Sequence, residues 1–152
     1  MASPNTTFTS GQVLTAAQVN NLPFGLMGAA ENTTLAQTFT TVVDLTSLSV
    51  TFTGIANRRY RVEGYVLMQS NVNNDSVNLL IRNSAGTTLQ QGIYYLNSSA
   101  VAYMATATVV ISATGSTTVK LSAQRQAGTG TITANGAATY PAQLIVTDIG
   151  TL

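Results

Sequence analysis

Histidine and cysteine are absent from this chain of 152 residues. Their absence removes the commonest general base, the thiol nucleophile and most zinc-ligand sets. Five carboxylates remain, Glu31, Asp44, Glu63, Asp75 and Asp148, beside six bases, Arg58, Arg59, Arg61, Arg82, Lys120 and Arg125. Paired carboxylates hydrolyse glycosides, but these acids sit singly along the chain, most near expected strand ends or turns. A Ser–Lys pair would have to use Lys120, which falls on the polar face of an expected strand and reads as solvated or interfacial. Gly25-Leu26-Met27-Gly28 and Gly128-Thr129-Gly130 are glycine pairs. Neither stands between a strand and a helix as a phosphate loop does, so both read as turn or close-packing glycines. Asn73-Asn74-Asp75 offers oxygen atoms of the kind calcium takes. It lacks the spacing and acid count of a dedicated site and reads as a polar loop tip. Asn5, Asn32, Asn74 and Asn97 each open an Asn-x-Ser/Thr triplet, as chance alone produces in a chain this rich in Thr and Ser. No catalytic, cofactor-binding or metal-binding residue is assigned, and no cofactor is expected.

The strongest local charge feature is Arg58-Arg59-Tyr60-Arg61. On a strand, Arg59 and Arg61 share a face with Glu63. A nucleic-acid site needs more cations on that face and exposed aromatics for stacking, so ion pairing within or between subunits is the expected use. Tyr94, Tyr95 and Tyr103 carry rings able to stack on sugar, although such residues more often fill a core or an interface. The formal net charge is +1, and charged residues make up 7% of the chain, against about 25% in ordinary soluble domains. That balance offers nothing to attract nucleic acid, a membrane surface or an acidic substrate. Neither nucleic acid nor membrane is expected among the partners. No apolar run approaches the roughly 18 residues of a membrane helix. Met1 to Ser10 lacks the basic-then-apolar order of a secretory signal, so assembly in a cytoplasm is expected. Thr, Ser, Asn and Gln stand in for the usual Lys and Glu. Abundant Thr favours sheet over helix, and low charge suits surfaces that end up buried against other subunits.

The elements that must position these residues differ along the chain. Residues 1 to 30 read as an N-terminal arm, polar at first and then rich in Gly and Ala. Thr15 can cap a short helix through Asn20 or Asn21, with Ala16, Ala17 and Gln18 as helix formers, and Pro23 stops its continuation. One or two turns without a core of their own do not stand alone. The arm's apolar residues, Phe8, Val13, Leu14, Val19, Leu22 and Phe24, are therefore expected to anchor it on another surface. Residues 31 to 152 read as one β-domain with repeated period-2 alternation. Thr38 to Val43, Leu48 to Thr53, Arg58 to Ser70, the stretch around Val77 to Ile81 and Leu89 to Tyr95 are expected strands. Ala102 to Ser112 and Thr117 to Arg125 flank a hairpin loop, and Thr129 to Ala134 and Gln143 to Ile149 complete the set. Two of these strands are apolar on both faces. Tyr65 and Leu67 oppose Val66 and Met68, and Ile145 and Ile149 oppose Leu144 and Val146. One face packs in the core, and the other needs a cover that a second subunit supplies most simply. Tyr65, Leu67, Ile145 and Ile149 are the expected subunit interface.

Two stretches carry a resemblance. Phe8-Thr9-Ser10-Gly11-Gln12-Val13-Leu14-Thr15-Ala16-Ala17-Gln18-Val19-Asn20 resembles the opening of many tailed-bacteriophage virion proteins, where an F-T-x-G-x-V-L-T-A-A-x-V-N phrase precedes a β-rich body. Ala107 to Gly115, Val119 to Gln126 and the closing Pro141-Ala142-Gln143-Leu144-Ile145-Val146-Thr147-Asp148-Ile149-Gly150 resemble the C-terminal β-domain of phage minor structural proteins. Such domains are similar to jelly rolls of the tumour-necrosis-factor and complement-C1q type, which assemble as trimers.

The expected fold is a single antiparallel β-sandwich of jelly-roll type with an extended N-terminal arm containing a short helix. The resemblance implies a capsid decoration (minor capsid, cement) protein that forms a homotrimer. It would stabilise the assembled head by binding the major capsid protein only in its assembled form. Its expected place is the virion, on the capsid surface ahead of the tail, after assembly in the cytoplasm of a bacterial host. The alternative is a tail or fibre knob, partnered by tail proteins, that binds a host surface receptor. A glycan-directed hydrolase is the third reading, disfavoured by the missing catalytic constellation.

Overall fold

In a computed structural model of the chain, the described residues are Val13, Val19 and 22–151. They form ten strands: β1 Gly25–Asn32, β2 Ala36–Phe39, β3 Val43–Gly54, β4 Arg58–Ser70, β5 Asp75–Asn83, β6 Thr88–Leu96, β7 Tyr103–Ser112, β8 Gly115–Ala127, β9 Ile132–Asn135 and β10 Ala142–Thr151. All pairings are antiparallel.

Strands β1, β10, β4 and β7 lie side by side in the first sheet, and β3, β8, β5 and β6 in the second. The chain crosses between the sheets after β2, β3, β4, β6, β7 and β8. Two four-stranded layers linked by such crossings are the topology of a jelly roll. The small strands β2 and β9 pair with each other and extend the first sheet. Strand β4 accommodates this by changing partners along one edge. It pairs with β10 from Arg58 to Tyr65 and with β9 from Leu67 to Ser70, while β7 runs along its other edge.

Alternation along the strands puts one face of each sheet in a shared core. Leu48, Val50 and Phe52 of β3, Val62, Val66 and Met68 of β4, Val77, Leu79 and Ile81 of β5, Leu121 of β8, and Leu144 and Val146 of β10 meet there. Gly64 is the one glycine on the inward face of β4. Leu121 from the second sheet occupies the space that a side chain at Gly64 would need. In β3 the pairing with β8 shifts between Asp44 and Ser49, and Ser47 takes φ of 64°. That irregularity keeps both Leu45 and Leu48 in the core.

Two expectations are corrected. The short helix of the arm is not an element of the fold: among the described residues the regular elements are strands alone. Thr15 to Gln18, Asn20 and Asn21 lie outside the described residues. The Val19 carbonyl accepts from the Leu22 N–H at 3.1 Å, and Pro23, which has no N–H to give, cannot continue that pattern. A single turn fixes several dihedral angles for one hydrogen bond, so without a packed face it does not grow. The second correction concerns Gly25 to Ala30, read as part of the arm. They belong to β1 and pair with β10. The small side chains of Gly28, Ala29 and Ala30 carry little strand propensity. Tertiary fit decides instead, because a Cβ at Gly28 would lie 2.7 Å from Val50 Cγ1 of the opposite sheet.

Candidate assembly face

Register places side chains in rows across the outer face of the first sheet. Leu26, Thr147, Arg61 and Val110 form one row across β1, β10, β4 and β7. Ala29, Ile145, Glu63 and Thr108 form the next, and Glu31, Gln143, Tyr65 and Thr106 the third. Leu67 and Met104 follow beyond the end of the β10 pairing. Leu26 is 66% exposed, Met104, Val110 and Ile149 are also exposed, and Tyr65, Leu67 and Ile145 are half-buried. The polar groups on this face answer one another. Arg61 Nε lies 3.0 Å from Glu63 Oε2, the Tyr65 hydroxyl donates to Glu63 Oε1 at 3.3 Å, and Gln143 Nε2 donates to Glu31 Oε2 at 2.9 Å. Burial, followed by the Glu63 charge and its hydrogen bond, raises the Tyr65 phenol above its usual value. The face is thus apolar and threonine-rich, with Arg61 and Glu63 paired, Glu31 hydrogen-bonded to Gln143 and Arg59 exposed at the end of β4. Tyr65, Leu67, Ile145 and Ile149 all lie on it.

The anchor residues fall at the edge of the described chain. Phe8 and Leu14 lie outside the described residues. Val13, Val19, Leu22 and Phe24 are exposed. Leu22 and Phe24 nevertheless touch the body through Arg58. Arg58 Nη2 donates to the Leu22 carbonyl at 2.6 Å, and the guanidinium carbon stands 3.8 Å from the centroid of the Phe24 ring.

Arg58 belongs to a buried ion pair with Asp148. Its Nε donates to Oδ2 at 2.6 Å and its Nη2 to Oδ1 at 2.8 Å, in the planar fork that suits a carboxylate. The Gly150 N–H donates to Asp148 Oδ1 at 2.8 Å, and the Phe24 backbone adds a further hydrogen bond. Burial pushes the Asp148 carboxyl upward. The hydrogen bond from Arg58, the Gly150 amide, the Arg58 charge and the Phe24 amide together outweigh it and hold the carboxyl below its usual value. The pair joins the start of β4 to the end of β10 and pins the segment entering β1.

The remaining acids are also committed. Asp44 accepts from Ser122 Oγ at 2.7 Å, from Lys120 Nζ at 3.0 Å and from Arg82 Nη1 at 3.2 Å. The Ser122 hydrogen bond leads in lowering its carboxyl, against partial burial and with help from Lys120 and Arg82. Asp75 is buried and accepts from the Ser70 hydroxyl, from the Thr129 N–H at 3.1 Å and from the Gly130 N–H at 3.0 Å. Its carboxylate fills the space that side chains at Gly128 and Gly130 would need, which is why that segment is glycine-rich. Asn73 and Asn74 do not join Asp75 in one cluster of oxygen ligands. Asn73 Oδ1 instead accepts from the Ser99 N–H at 2.6 Å, and Asn74 turns the loop at φ of 64°. Among the described residues no group of three or more His, Cys, Asp or Glu side chains is placed to hold a metal. Each described carboxylate has its geometry explained by folding contacts.

No family model matches the chain, and no curated protein sequence does. Solved structures of similar shape include the infectious bursal disease virus particle, with TM-score 0.47 and 15% identity over 98% of this chain and 40% of that one. The VP2 subviral particle of the same virus has TM-score 0.46 and 12% identity over 84% of this chain and 38% of that one. The tailspike protein 4 enzymatically active domain of bacteriophage CBA120 has TM-score 0.33 and 9% identity over 80% of this chain and 19% of that one. The chain spans less than half the length of each.

Sequence reasoning did not single out the Arg58–Asp148 pair. Its members are 90 residues apart, and only the β4–β10 pairing brings them together. The inward parity of Arg58 with Tyr60 and Val62 was the available signal, since an arginine on a core-facing parity needs a partner. Lys120 lies on the polar outer face of β8, as its alternation with Val119 and Leu121 indicates, and pairs with Asp44.

Proposed function

We propose that this protein is a virion structural protein, a decoration protein of a tailed-bacteriophage head that acts as a homotrimer. The observation that carries the reading is the outer face of β1, β10, β4 and β7. On it Leu26, Tyr65, Leu67, Met104, Val110 and Ile145 surround the Arg61–Glu63 ion pair. A face of that kind gains by being covered, and a second copy is the simplest cover for a chain with so few charges to solvate it. The jelly-roll topology and the resemblance of Phe8 to Asn20 to phage virion openings support the same reading. So does the commitment of each described carboxylate to folding contacts. The chain acts by mass action: a trimer that binds only the assembled shell stabilises the shell.

Sedimentation velocity at micromolar concentration tests the oligomer. The wild type sediments as a trimer. Ile145→Asp sediments as a folded monomer, because the side chain points away from the core and its carboxylate would be stranded in a covered face. A monomeric wild type overturns the reading. The second reading, a tail or fibre knob that binds a host receptor, is favoured by one observation. Tyr95 and Ile93 are exposed side by side on the second sheet, away from the proposed contact face.

A further inference from the structure

Charged side chains are so few in this chain that each can be matched with its partner. Of the five carboxylates, Asp148 pairs with Arg58, Glu63 with Arg61, and Asp44 with Lys120 and Arg82. Asp75 is buried and accepts from Ser70, Thr129 and Gly130. Glu31 remains. It is exposed, accepts from the Gln143 amide and pairs with no cation among the described residues. Of the bases, Arg125 donates to the Gly130 carbonyl. Arg59 is exposed, and its guanidinium makes no hydrogen bond or ion pair with a described residue.

These two unmatched charges lie on one face. Arg59, Arg61, Glu63, Tyr65 and Leu67 point away from the core, opposite in parity to the buried Tyr60, Val62, Val66 and Met68. Arg59 stands beside Gly150 and Ser112, one row before Arg61. Glu31 stands in the row of Gln143 and Tyr65. The outer face of the first sheet is therefore divided along its strands. Arg59 and Arg61 occupy two successive rows at one end, and Glu63 and Glu31 occupy the next two. Leu26, Val110 and Ile145 lie among them. From the row of Arg59 to the row of Tyr65 is about 20 Å along an extended strand. Arg59 and Glu31 cannot meet within one copy.

We propose that Arg59 of one copy pairs with Glu31 of the next. This rests on the reading of the face as a contact between copies, and it gives that contact an orientation. The charge of the face itself favours a second copy as the occupant, because a face with a positive end and a negative end complements another of its kind brought up end against end. Covering the apolar residues takes nearby charges out of water, where an unmatched charge is costly. A ring of three also needs a heterologous contact, in which two different patches of the surface meet. The positive end and the negative end are those two patches, and every copy offers both.

The test is sedimentation velocity of the full-length protein over a dilution series, at low and at raised salt. Both residues are exposed, so the variants should keep the wild-type melting temperature. Arg59→Glu and Glu31→Arg each set like charges across the contact. Each should raise the concentration at which the trimer dissociates by about tenfold or more. Added salt narrows that difference. The double variant, Arg59→Glu with Glu31→Arg, restores the wild-type value. If a reversed charge lowers the melting temperature, Arg59→Gln and Glu31→Gln, which remove the charge alone, take its place and should each weaken the trimer at low salt. Mixing the two single variants gives a further check. A ring of three cannot alternate them, so every mixed ring keeps one like-charge contact and stays weaker than the wild type. A mixed dimer as stable as the wild-type assembly would overturn the proposal. A wild-type trimer whose single variants assemble unchanged, or a double variant no better than the singles, would overturn it and leave the reading of the face in place. A monomeric wild type would overturn both.

Discussion

Arg58 and Asp148 show how a few charged residues are placed in a chain that has little use for charge. Both are buried, and each satisfies the other with bidentate geometry. Asp148→Asn leaves the guanidinium buried beside a neutral amide, and breaking such a pair costs about 3–5 kcal/mol. Urea denaturation would show a lower midpoint at an unchanged slope. The pH dependence follows from the same pair. The folded-state value of Asp148 is depressed below the ordinary aspartate value of 3.8, and that of Asp44 is depressed too. Their contribution is therefore full above the unfolded-state value and is lost as pH falls through the folded-state values. The melting temperature should be level from neutral pH to about 5, a unit above the unfolded-state aspartate, and then fall with acid. Asp148→Asn starts lower and falls less steeply. A wild-type profile that rises on acidification would contradict the assignment.

At the scale of elements, the two sheets are joined by fit at specific contacts. Leu121 lies against Gly64, so Gly64→Ala overpacks the core and costs about 1–3 kcal/mol. Leu121→Ala removes the obstruction, and the two changes together should destabilise less than the sum of the two alone. A double-mutant cycle in urea checks this, and strict additivity would deny the contact. At the β6–β7 side, the Tyr94 hydroxyl donates to the Thr106 carbonyl and accepts from the Thr106 N–H at 2.9 Å, a tie between the sheets. The arm is a separate matter. Deleting residues 2–21 keeps Leu22 and Phe24 on Arg58, and the β-body should still unfold cooperatively. If the arm anchors the protein through Phe8, Leu14 and Val19, the truncated protein should occupy bare heads at least tenfold less. Undiminished occupancy would deny the arm an anchoring role.

Much at this scale was legible in the residues. Arg58 to Ser70 alternates so regularly that β4 has those bounds. The hairpin expected at Ala113 to Ser116 is not one: β7 and β8 lie in different sheets, and Ala113 and Thr114 make the crossing between them. Strand β1 was not legible, because Gly28, Ala29 and Ala30 have no period-2 pattern and are held by Val50 and β10 instead. The change of partner along β4 was also hidden, since pairing across distant segments leaves no local trace. The outer face of the first sheet could be named from Tyr65, Leu67, Ile145 and Ile149. Leu26, Met104 and Val110 join it only through register.

For the molecule as a whole, the central claim is that a jelly roll with one apolar outer face covers that face with copies of itself and decorates an assembled head. Subunit exchange gives one check on the first half. Two differently labelled preparations, mixed at micromolar concentration, should form mixed trimers in native mass spectrometry, and Ile145→Asp should form none. The most direct test of the whole claim is the copy number and location of this chain on purified virions. Quantitative mass spectrometry against the major capsid protein, with image reconstruction of the particle, supplies both. The account predicts a number of copies that scales with the number of capsid subunits, in trimeric clusters over the head. A few copies confined to the tail would contradict it.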